Sequence, residues 1–171
     1  SGNYAATLPL YNRLATVKPD LSARDLYYFN DAALKANNFK LADSVSRVYI
    51  QKFPDQPQGY SGLAKANIAM DKDTTTGSAV PAVMQYIDWM TKTDKEKYKN
   101  TIVSNYGYLV GVHANALKDY PAALKDLEGI LAVDPTNAYA LSTAATIRKV
   151  MSGPTKAAPA KKPATPAKKT K

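Results

Sequence analysis

The sequence predicts an all-α chain of stacked antiparallel helix pairs, and three observations carry that prediction. First, helix-like stretches recur with one internal pattern, each closing on a proline: Pro19, Pro54 and Pro135. Counting back from these prolines, the fifteenth position holds Tyr4, Phe39 and Tyr120, and the twelfth holds Thr7, Ala42 and Ala123. The eighth holds Tyr11, Ser46 and Leu127, and the fifth holds Leu14, Tyr49 and Ile130. These offsets put large, small, large and large residues on one face at the 3.6-residue period of a helix. The small residue lets a second helix approach closely. Second, a helix of another kind precedes the stretches that begin at Phe39 and Tyr120, separated from each by a short polar turn. Third, no segment carries a strand signal.

Taken in order, the first element spans 4–17, the helix that closes on Pro19. Residues 22–36 follow, with Leu26, Phe29 and Ala33 on one face, then 39–53 with the second patterned face. Pro57 opens a helix over 57–70 that packs Tyr60 and Leu63. The next, 79–91, sets Ala82, Tyr86 and Trp89 where the small and large residues belong. A long helix is expected over 94–118, opened by a Thr93–Glu96 capping box and packing Val110, Gly111 and Ala114. Residues 120–132 repeat the pattern, and 137–151 form a terminal helix that covers the last apolar face.

The interval from Pro19 to Pro54 is 35 residues, within one residue of a known helical-repeat period of about 34. ALKDYPAALKDLEGILAVDPTN carries a turn before an aromatic, a small alanine and a closing Asp-Pro. DLYYFNDAALKANNFKLADSVSRVYIQKFPD repeats the arrangement. On these residues, covering about 1–151, the chain resembles tetratricopeptide repeat proteins. The resemblance implies a right-handed α-α superhelix of about three repeats plus a capping helix. GNYAATLPLYNRLATVKPD matches only the second helix of a repeat, so the chain reads as starting mid-repeat, with a natural start expected upstream.

Two intervals exceed the period. Pro54 to Asp94 is 40 residues, and the surplus falls in DKDTTTG, Asp71–Gly77. Asp94 to Pro135 is 41 residues, and that surplus falls near KYKNTIV, which lengthens the following helix. DKDTTTG itself spells D-x-D-x-T, the order of a phosphatase nucleophile and acid. Such a nucleophile belongs at the end of a buried parallel strand, whereas Asp71 follows the helical face KANIAM. As a calcium loop the stretch has its glycine one place late, and Ala82 stands where a bidentate Glu is required. It reads as an exposed turn without chemistry, and insertions in turns are well tolerated.

Composition excludes further classes. The chain has no Cys, so disulfides, thiolate metal sites and cysteine nucleophiles are absent. His113 is the only histidine and reads as a packing residue, leaving no ligand cluster for a metal. No glycine-rich phosphate loop is present, and no cofactor is expected. No apolar run approaches the roughly 18 residues of a membrane span. Net charge is +9 over 171 residues. Six lysines and no acid fall in PTKAAPAKKPATPAKKTK, residues 154–171, leaving +3 on 1–153. The expected division is a repeat domain over 1–153 and a disordered Lys/Ala/Pro tail.

The resemblance implies a non-catalytic interaction scaffold whose first helices line a concave groove for a protein or peptide segment. By the family's groove spacing, the lining residues are Arg24, Tyr27, Asp31 and Lys35, then Gln58, Ser61 and Lys65, then Asn105, Tyr108, Val112 and Asn115. The clamp that grips acidic chaperone tails uses Lys, Asn and Arg at such places. Here Tyr27, Asp31, Asn105 and Leu109 stand there, which disfavours that ligand. The alternative surface is the basic tail, which would hold anionic surfaces or nucleic acid without sequence preference.

Overall fold

The structure, a computed structural model, describes Pro9, Arg13, residues 20–72 and residues 76–153. The helix expected at 4–17 lies outside the described residues except for Pro9 and Arg13, and so does the tail. Within them stand seven α-helices and no strand: α1 (Ala23–Lys35), α2 (Phe39–Lys52), α3 (Pro57–Met70), α4 (Val80–Asp94), α5 (Lys99–Gly111), α6 (Tyr120–Val133) and α7 (Ala138–Met151). A π-helical turn, Val112–Ala116, continues α5.

Local chemistry sets the ends. Ser22 and Asp25 form a reciprocal capping box, with Ser22 N–H donating to Asp25 Oδ2 at 2.9 Å. α1 closes on Asn37 in the left-handed region (φ 57), and the Asn38 amide reaches back to the Ala33 carbonyl. Asn38 then caps α2 by accepting from Leu41 N–H. The same device recurs at the α5–α6 turn: Lys118 has φ 57, and Asp119 caps α6 by accepting from Ala122 N–H at 3.0 Å. The returning bond there spans one residue more, from Asp119 N–H to the His113 carbonyl, because the π turn has widened the helix end.

Each helix packs on the next along the chain, and α1 also packs on α3. The repeated faces are buried as their spacing requires: Leu26, Phe29 and Ala33; Ala42, Ser46 and Tyr49; Ala123, Leu127 and Ile130. Where α1, α2 and α3 meet, the buried Asn30 Nδ2 donates to the Ala42 carbonyl (2.8 Å) and to Ser46 Oγ (2.7 Å). Gly62 lies flat against this network. Among the described residues the apolar interior divides into four clusters strung along the stack.

Three local expectations are corrected. The α4 face centres on Val83, Ile87 and Met90, all fully buried, with Tyr86 and Trp89 at its margin. Trp89 is drawn aside because its Nε1–H donates to the Pro54 carbonyl (2.9 Å) and its ring stacks on Tyr60 at 5.5 Å. The single helix over 94–118 is instead interrupted: α4 runs on to Asp94, and a turn over 95–98 precedes α5. Asp94 Oδ1 accepts from Lys97 N–H in that turn, and no Thr93–Glu96 capping box forms. The helix is nonetheless lengthened, since α5 and its π turn together cover Lys99–Ala116. Finally, Gly111 meets no neighbour within 4 Å of where a Cβ would stand, so it is not a crossing point. The close approach is made at Gly129, whose missing side chain leaves the space that the Tyr106 ring fills.

Candidate binding groove

The first helices of the three pairs, α1, α3 and α5, carry the residues singled out by spacing. On α1, Arg24, Tyr27, Asp31 and Lys35 form one stripe outside the core. Tyr27 is 45% exposed and meets Tyr28 edge-on at 5.2 Å. Lys35 Nζ lies 2.7 Å from Asp31 Oδ2, so the acid is held by a neighbour one turn along and the stripe is close to neutral there. On α3, Gln58 and Lys65 lie outside the core, and the half-buried Ser61 donates from Oγ to the Gln58 carbonyl at 3.2 Å. Because α1 packs on α3, these two sets belong to adjacent helices.

The third set behaves differently. Asn115 lies at the surface of the π turn, and Asn105 is half-buried, its Nδ2 donating to the Thr101 carbonyl at 2.8 Å. Val112 is fully buried, so it does not line a surface. The Tyr108 hydroxyl oxygen is enclosed and has no hydrogen-bond partner. The inserted connection lies against this set. A Cβ at Gly77 would lie 3.0 Å from Leu117 Cδ1 and 3.6 Å from Val112 Cγ1, so this backbone runs directly over the π turn. Gly77 has φ +69, a conformation that suits glycine.

Within the same connection Lys72, Thr76 and Ser78 are exposed, as expected of a turn, and Asp71 is the exception. Asp71 is only 4% exposed. Its Oδ1 accepts from Thr76 N–H at 3.1 Å and Thr76 Oγ1 at 2.7 Å. The Thr76 hydroxyl holds the Asp71 carboxyl below its ordinary range, with the backbone N–H groups of Thr76, Ala79 and Gly77 adding to that effect. The carboxylate thus organises the approach to α4 from nine residues upstream of Val80. Its Oδ2 is buried with no partner. Burial raises the Tyr108 phenol above its usual value, and the Asp71 charge raises it further. Asp73–Thr75 lie outside the described residues.

A second feature was invisible to spacing. His113 Nδ1 lies 2.6 Å from Asp126 Oδ2, both largely buried. Burial raises the Asp126 carboxyl, and the hydrogen bond from His113 opposes that rise. The pair borders a cleft of about 490 Å³ that also touches Met84, Tyr106 and Gly129. The described residues lining this cleft include Tyr106, Lys125 and Glu128 but no serine or threonine. Among the described residues no group of three His, Asp or Glu could hold a metal. No helix among them is long and apolar enough to cross a membrane.

Among solved structures, the fold is similar to the C-terminal part of a TPR repeat-containing protein from Cytophaga hutchinsonii, with a TM-score of 0.68 and 25% identity. The match covers 82% of this chain and 54% of the other, so this chain spans about half the length of that structure. A thermophilic TPR protein in Thermus thermophilus aligns over 86% of this chain and 91% of its own, at a TM-score of 0.46 and 16% identity. No family model matches the sequence, and no curated protein matches it.

Proposed function

Because the chain is an all-α helical repeat protein of the tetratricopeptide type, a fold that generally mediates protein–protein interaction, we propose that it is a non-catalytic scaffold holding an extended protein segment along α1 and α3. The observation that supports this reading is the open stripe of Arg24, Tyr27, Asp31, Lys35, Gln58, Ser61 and Lys65 on two adjacent helices. Tyr27 supplies a rigid aromatic surface with a polar edge. Arg24 and Lys65 are cations at either end of the set, and the remaining polar groups suit main-chain hydrogen bonding. A segment with an apolar or aromatic side chain for Tyr27 and acids near its ends fits this chemistry. Asn105 and Asn115 are the outer candidates.

The test is capture of partners by the full chain, compared with Tyr27→Ala combined with Lys65→Ala, and separately with Lys161, Lys162, Lys168 and Lys169 all changed to Gln. Groove binding is lost in the first variant, survives in the second, and weakens only modestly with salt, because Tyr27 and main-chain contacts are uncharged and only Arg24 and Lys65 are screened. A partner retained by the first variant, lost from the second and released by orders of magnitude between low and physiological salt would move the function to the tail.

A further inference from the structure

The backbone flanking the insertion lies against the π turn that continues α5, beside Leu117 and Val112. Three observations converge there. Val112 has lost its exposure beneath Gly77. Tyr108 presents an enclosed hydroxyl with no partner, and Asp71 presents an enclosed carboxylate oxygen with none. Two buried polar groups left unmatched in one locality are costly, since each has surrendered water without a replacement. One water between them meets the requirement of both, accepting from the phenol O–H and donating to the carboxylate oxygen.

We propose that Asp71 and Tyr108 are a latch, joined through one shared water, that seats Thr76–Ala79 over α5 as the chain's own occupant of the third part of the groove. This rests on the groove reading above. A partner segment then has α1 and α3 open to it, and reaches Val112 only after the latch has parted. Asp71 serves both sides of the arrangement. Oδ1 holds Thr76, which fixes the connection internally, while Oδ2 is left for α5. Gly77 makes the seat possible, because a side chain there would meet Leu117.

The chain has no cysteine, so one introduced thiol reports accessibility without background. Val112→Cys places it under the seat, and Asn115→Cys places it on the outer surface of the same π turn. Maleimide labelling of the full chain is expected to be at least about 100-fold slower at the first position than at the second, as a locally protected site requires. Adding Asp71→Asn should accelerate labelling of Val112→Cys at least about tenfold and leave Asn115→Cys unchanged. Tyr108→Phe, which removes one oxygen only, should do the same independently. Equal labelling at the two positions overturns the seat. Unaltered protection of Val112→Cys in both latch variants, with helical circular dichroism intact, overturns the latch, because the valine would then be buried by the helices alone. Neither measurement uses a partner, so each result stands whether or not groove binding does.

Discussion

Gly62→Ala is the sharpest test of the packing between the first two pairs. A Cβ at Gly62 would stand 2.5 Å from Asn30 Oδ1, 2.8 Å from Ser46 Oγ and 3.0 Å from Asn30 Cγ. These are the atoms of the buried network that ties Ala42 to Ser46 through Asn30. To admit the methyl, the Asn30 carboxamide must swing away, and one or both of its hydrogen bonds must lengthen. Overpacking costs about 1–3 kcal/mol, and a hydrogen bond lost from a buried donor adds about 1 kcal/mol. Alanine returns roughly 1 kcal/mol through its better helix propensity. The net expectation is destabilisation by about 1–3 kcal/mol, and each kcal/mol lowers Tm by about 2–4 °C in a domain of this size. Gly107→Ala is the matched control, since a Cβ there meets nothing within 4 Å. It should raise stability by about 0.5–1 kcal/mol. Urea unfolding followed by circular dichroism measures both. If Gly62→Ala proves as stable as Gly107→Ala, the approach of α3 to Asn30 and Ser46 is not as close as described.

Ala123→Leu should lower stability by about 1–3 kcal/mol, since Ala123 is fully buried against Leu127 and Ile130; an unchanged midpoint would place α6 in another register. Gly129→Ala should also destabilise and should alter the environment of Tyr106, whose ring occupies the space of the missing side chain; proton NMR of that ring would show no change if the contact were absent. The acid response has a definite sign. The Arg47 hydrogen bond is the main cause lowering the Asp43 carboxyl, the Thr76 hydroxyl that lowering Asp71, and the Asn137 side chain that lowering Asp134. Groups with depressed folded values stabilise above their unfolded value of about 3.9 and lose that contribution as pH falls through the folded value. Stability should therefore drop below about pH 4, and less steeply in Asp43→Asn. A drop centred above about pH 5 would assign the acid sensitivity to other groups.

How far the sequence could be read depends on what each feature rests on. The helices of the first pair were legible because Leu26, Phe29 and Ala33 keep strict periodicity; the caps at Ser22 and Asn38 came from the structure. The α4 face was misplaced by one residue because Trp89 looked like a core aromatic, whereas its indole is held by the Pro54 carbonyl. That partner is 35 residues away, and no periodicity reports it. The extent of the surplus around α5 could be counted, but not its division among the end of α4, the turn over 95–98 and the π turn. Every such division preserves the total. Arg24, Tyr27, Asp31 and Lys35 follow from the family resemblance, and the structure places them outside the core of α1. The burial of Val112 and Asp71 was not legible, because an insertion's length says nothing of where its backbone returns, and the His113–Asp126 pair joins residues on different helices.

The division of the apolar interior into four clusters has a mechanical meaning. A single central core resists tension as one body, and yields all at once. Clusters strung along a stack in which each helix rests mainly on its neighbours carry a pulling force in series, so the extension is shared among them. The cluster of Ala33, Ala42 and Ala66 joins α1, α2 and α3 beside the buried Asn30 network. The one around Val83, Ile87 and Met90 joins α3, α4 and α5. A load carried through the chain would be met at each of these joints in turn, and not by one core.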